Sequence, residues 1–201
     1  MKTRIVLLSV VMLAALAMIT AQAPAQDKQQ TPSMEEMMAE YAKYAAPGPQ
    51  HKALEPLIGN WKAITKWWMD PAAPAETSSA TSTAKWILGG RFVQEDVVGM
   101  MEGTPFHGMG ITGYDNFKKE YIAFWIDEMA TSFMFMNGQA DASGKIITMQ
   151  SEYEDPASGK TELYKTVTII DSNDKHTYQM FKVGEDGKEI KNFEVVYTRQ
   201  K

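Results

Sequence analysis

Three kinds of residue in this chain have chemistry to offer, and each points to a different activity. The first kind is carboxylate. Asp96 and Asp127, if brought together in an enclosed interior, would share protons, and burial would raise the pKa of one. Glu95 and Asp96 are adjacent, so on a strand they face opposite sides and cannot act jointly on one substrate. No nucleophile–base pattern accompanies these acids. An enzyme using buried carboxylates is therefore an alternative reading rather than the leading one.

The second kind is sulfur and imidazole. Met134 and Met136 place two thioethers on one strand face, and His107 with Met109 adds a mixed pair. Soft ligands of this kind suit Cu(I). The competing account is that methionine, with 15 in the chain, fills irregular barrel interiors. His51, His107 and His176 have no second histidine at metal-ligand spacing, and no His-Glu-x-x-His is present. His176 adjoins a predicted turn, so solvation at the surface is the expected histidine role. There is no cysteine, which removes disulfides, thiolate nucleophiles and thiolate metal sites. No metal or cofactor is called for.

The third kind is aromatic. Trp67, Trp86 and Trp125 can wall a cavity, with Gln94, Asp96 and Asp127 as orienting polar groups, which is the usual composition of a small-molecule pocket. The alternative is a filled core that makes the chain a structural or interaction module.

Positioning these residues requires strands. From Gly59 onward the hydrophobic period is two, predicting strands over Asn60–Asp70, Glu76–Ile87, Arg91–Met100, Phe106–Asp115 and Tyr121–Asp127. Five more follow over Ser132–Asp141, Lys145–Glu154, Thr161–Ile170, Lys175–Val183 and Glu189–Arg199. Gly, Pro, Asn and Asp clusters separate most of them. Ten short strands without an intervening helix predict an all-β, antiparallel up-and-down barrel, because closure leaves no exposed edge in a chain without disulfides. Alternation places Trp61, Ala63, Thr65, Trp67 and Met69 inside, with Lys62 and Lys66 in water. Ser82, Ala84 and Trp86 share a face, as do Tyr121, Ala123, Trp125 and Asp127. Phe92, Gln94 and Asp96 share another.

Ahead of the strands, Ser33 and Glu36 form a capping box, and Met34, Met37, Met38, Tyr41 and Tyr44 recur at helical spacing until Pro47-Gly48-Pro49. A second helical turn spans His51 to Leu57. The first helix is acidic, which argues against anionic lipid, and is expected to cover one end of its own domain.

Lys2, Arg4, the apolar run from Ile5 to Ile19 and Ala23-Pro24-Ala25 read as a secretory signal cleaved after Ala25. The domain plan is then 1–25 signal, 26–50 linker and helix, and 51–201 barrel, in a periplasmic or secreted protein not inserted in a membrane. Lys2 and Arg4 leave with the signal, so 18 of 20 basic residues remain against 25 acidic ones, net −7. Such a surface repels nucleic acid, and no basic cluster offsets it.

Gly59-Asn60-Trp61 on the first strand resembles the Gly-x-Trp signature of calycin barrels, among them lipocalins, fatty-acid-binding proteins and nitrobindins. Arg199 resembles the basic residue that such barrels pack over that tryptophan. The segments from His51 to Trp61, from Trp86 to Phe92 and from Gly113 to Asn116 look like the bacterial domain-of-unknown-function 1579 family. That resemblance implies a calycin-like fold with Gly59, Trp61 and Arg199 closing the barrel, and implies no reaction. The expected function is binding of a small, partly apolar molecule.

Overall fold

The computed structural model describes residues 31–155 and 159–201. The signal read in residues 1–25 lies outside the described residues. Ten antiparallel strands form one closed barrel: β1 Gly59–Trp67, β2 Glu76–Ile87, β3 Phe92–Met101, β4 Thr104–Asp115, β5 Glu120–Asp127, β6 Met134–Ala140, β7 Ile146–Asp155, β8 Lys160–Ser172, β9 Lys175–Val183 and β10 Glu189–Arg199. Each strand pairs with its sequence neighbours, and β1 closes on β10. All ten sequence-predicted strands are present. Side-chain alternation and glycine-bearing turns suffice to set this meander, since each hairpin needs only local pairing.

The barrel has a closed end and an open end. At the closed end Trp61 and Arg199 face each other across β1 and β10. The Arg199 guanidinium carbon lies 4.1 Å from the Trp61 ring centroid, a cation–π contact. Its Nη1 donates to Ile58 O at 2.7 Å and its Nη2 to Pro56 O at 3.1 Å. Gly59 has a φ of +136°, and a Cβ there would overlap Arg199 Nη1. Only glycine combines that backbone with that space.

Two short elements plug this end: α2 Pro49–Lys52 and a 3₁₀ turn Glu55–Leu57. Leu54 is fully buried, and Trp86 Nε1 donates to Glu55 Oε2 at 2.7 Å. The helix predicted to cover the barrel, α1 Met34–Ala45, does not: none of its residues is buried. It has the capping box read from the sequence, and it is tethered by Asn116, whose Nδ2 donates to Tyr44 O and Ala46 O, and by an edge-on contact of Tyr44 with Phe117 at 5.3 Å. The Pro47-Gly48-Pro49 break turns the chain before α2, so the covering role passes to residues 49–58.

The apolar core is split. One cluster holds Leu54, Ala84, Val93, Tyr121, Ala123, Met136, Ile147 and Met149, against which Trp86 and Trp125 pack. A second holds Trp61, Ala63, Val195 and Tyr197 on the β1–β10 wall. Tyr178, packed against the second cluster, bridges to the first by donating its hydroxyl to Met136 Sδ at 3.8 Å.

Candidate functional site

Pairing register fixes what projects inward between these clusters. Glu95 on β3 is opposite Ala84 on one side and Gly110 on the other, and Gly110 is in turn opposite Trp125. Residues directly opposite share a face, so Glu95 projects inward with buried Ala84 and Gly110. The Trp125 indole lies flat on Gly108 and Gly110, where any Cβ at Gly108 would overlap the ring. Two glycines thus make the bed that lets a tryptophan lie along the wall beside Glu95.

The Glu95 Oε1 accepts a 2.6 Å hydrogen bond from the Ser82 hydroxyl. Tyr197 and Tyr178 approach from the β9–β10 wall. Burial pushes the Glu95 carboxyl above its ordinary range, more than bonds to Ser82 and Tyr197 pull it down. Burial likewise raises the Tyr178 and Tyr197 hydroxyls, and proximity to Glu95 adds to both. Among the described residues no lysine, arginine or histidine forms an ion pair with Glu95. Glu95, Trp125 and Tyr178 face inward yet are only half-buried. In a closed barrel the surface that an inward side chain retains faces the lumen.

The open end is polar. Glu162 accepts from Lys182 Nζ at 2.6 Å and from the Tyr164 hydroxyl at 3.0 Å. Burial and that carboxylate push the Tyr164 hydroxyl up to about 12. Asp127 closes β5, accepting from Trp125 Nε1 at 2.8 Å and from Met129 N at 2.9 Å. Trp67 lines a rim hollow of about 470 Å3 with Glu76, Ser78 and Met100.

The residues read from the sequence therefore separate. Trp125 and Asp127 sit together, Trp86 faces inward near the closed end, and Trp67 stands at the opposite rim. Gln94 and Asp96 are corrected: both point out of the barrel, Gln94 donating to Asp96 at 2.9 Å and Asp96 lying 4.0 Å from His107. Outer-face Phe92 covers Gly113, which sets that side of β3 outward. Asp96 and Asp127 thus occupy opposite faces and form no interior acid pair. Met69, expected inside, is 88 % exposed, because β1 ends at Trp67.

Two histidines also depart from expectation. His176 is buried, stacked on Tyr197 at 4.2 Å and edge-on to Trp61 at 4.4 Å, with its Nδ1 unpartnered. Burial and Arg199 lower it to about 4. His51 is buried too, its Nδ1 accepting from Gly48 N at 3.0 Å. His107 alone is solvated. Met136 and Met149 belong to the core, as gap-filling predicts. Among the described residues no three His, Asp or Glu side chains come together as a metal site.

Glu95 is the residue that sequence reasoning missed. Its signal was the flanking pair Val93 and Val97, two positions to either side, which are buried and carry Glu95 inward with them.

The architecture has solved counterparts. The crystal structure of Rv2717c from M. tuberculosis matches with a TM-score of 0.56 and 15% identity, over 78% of this chain and 100% of that one. The S-type phycobiliprotein lyase CPES from Guillardia theta matches with a TM-score of 0.50 and 10% identity, over 77% and 99%. These likenesses are of fold. No curated protein matches. A family model described as a protein of unknown function, DUF1579, matches residues 46–199, and the chain belongs to that family.

Proposed function

We propose that this barrel is an exported binding protein that takes a small, partly apolar molecule into its lumen through the open end. The observation that supports the reading is that Glu95, Trp125 and Tyr178, which face inward between two apolar clusters, keep part of their surface accessible. Aromatic walls with a few convergent polar groups are what small-molecule sites are made of. The phycobiliprotein lyase has a similar barrel, but the reading rests on this chain's own side chains. Export is proposed from Lys2, Arg4 and the apolar run that follows them.

Native mass spectrometry of protein purified from its own host tests the binding role. A retained small molecule is expected, and Thr65→Trp, which fills the lumen from β1, should release it while the far-ultraviolet spectrum stays that of a barrel. Protein that carries no molecule and binds no hydrophobic fluorophore would overturn the reading.

A further inference from the structure

We infer that the lumen selects an organic cation, an ammonium group on an apolar body, with Glu95 as its counter-charge, the Trp125 indole beside it and the Tyr178 and Tyr197 hydroxyls opposite. This rests on the lumen-binding reading above and assigns the ligand's head group. Three observations carry it.

The first is an imbalance of charge inside. Glu95 is enclosed by the barrel wall with a serine hydroxyl and tyrosines for company, and no cation meets it among the described residues. Among the described residues, the inward cations Arg199 and Lys182 are engaged elsewhere. Arg199 is committed to Trp61 and to the carbonyls of Pro56, Ile58 and Asn173 at the closed end. Lys182 is bound to Glu162 at the mouth. A ligand carboxylate would find no free partner beside Glu95, whereas an ammonium would.

The second is the surrounding surface. Trp125 lies against the glycine bed next to Glu95, and Tyr178 and Tyr197 stand on the facing wall. An electron-rich indole face beside a carboxylate attracts alkylammonium groups, which gain cation–π energy while shedding little hydration.

The third is the polarity of the barrel as a whole. The connections at the open end, 68–75, 102–103, 128–133 and 184–188, carry Asp70, Glu102, Glu128, Glu185 and Asp186 against Lys188. Those between strands at the closed end carry Arg91, Lys118, Lys119 and Lys145 against Asp141 and Asp174. A field of that sense draws cations to the mouth and disfavours anions.

The test uses three octyl probes of matched length: octyltrimethylammonium, octanol and octanoate, titrated calorimetrically into the whole protein. Octyltrimethylammonium, whose charge is permanent, is expected to bind about tenfold or more tightly than octanol at about pH 8, with octanoate weakest. Glu95→Gln keeps the Ser82 hydrogen bond and should abolish the ammonium's advantage over octanol. Because the probe does not titrate, its affinity for the native protein should also fall as the pH is lowered and Glu95 takes up a proton. The groups facing Glu95 in this experiment are the Tyr178 and Tyr197 hydroxyls, with His176 behind Tyr197; the tyrosines stay neutral throughout. Equal binding of octanol and ammonium, or an unaltered preference in Glu95→Gln, overturns the head-group assignment and leaves the lumen reading standing. Failure of all three probes overturns both.

Discussion

Trp61 and Arg199, near opposite ends of the barrel's sequence, are direct partners across the β1–β10 ladder, with the guanidinium carbon 4.1 Å from the indole centroid. The same guanidinium binds the carbonyls of Pro56, Ile58 and Asn173, so one side chain ties the plug, the first strand and the last turn together. Arg199→Ala should cost about 2–4 kcal/mol, the sum of lost charge-assisted bonds and the cation–π contact. A urea midpoint measures this. Arg199→Lys should recover only a fraction, because an ammonium cannot span three carbonyls in one plane.

Acid sensitivity should trace to His176. Its native pKa of about 4 lies below the ordinary value of 6.5, so the unfolded chain binds the extra proton. Stability from this residue is complete above the unfolded value and is lost as pH falls from 6.5 to about 4. The loss amounts to about 3 kcal/mol at most. His176→Phe keeps the stack on Tyr197 and should flatten that limb of the stability–pH curve. An unchanged slope would show that another group supplies it.

Gly108→Ala should rotate Trp125 off the wall, since a methyl there overlaps the indole. The expected cost is about 1–3 kcal/mol of overpacking. Near-ultraviolet dichroism and tryptophan emission should change while the far-ultraviolet spectrum does not.

How much of this was legible in the sequence depends on what sets each feature. Strands and turns are local, so period two and the Gly, Asn and Asp clusters placed all ten, and Gly59-Asn60-Trp61 with Arg199 placed the closure. The facing of β3 is not local. Val93 and Val97 argue for one face, Phe92 and Val98 for the other, and the tie is broken by Gly113 across the ladder, which needs Phe92 outside. Placing Asp96 inside put its neighbour Glu95 outside, and the register reverses both. His176 was placed in solvent because it is the second residue of its strand; the ring of Tyr197 opposite it decides otherwise.

The β6–β7 ladder spans only Asn137–Ala140 on β6, whereas β7–β8 pairing runs from Ile146 to Asp155. Beyond Asn137 a hollow of about 280 Å3 lined by Phe135, Gln150 and Leu163 lies between these strands. Amides of β6 and β7 beside that hollow should exchange with deuterium about tenfold faster than those of β8, because few ladder bonds oppose local opening.

Removing the residues before Ala46 should change barrel stability by no more than about 0.5 kcal/mol, since α1 buries nothing. A larger change in the thermal midpoint would mean that the two Asn116 hydrogen bonds anchor more than they touch.

Because β1 begins beside the place where β10 finishes, the chain enters and leaves the barrel at the same pole. Anything joined after Lys201, such as a tag, a tether or a second domain, starts from that pole, away from the opposite opening. The molecule can therefore be held at its base, on a sensor surface or a resin, with its entrance pointing into free solution.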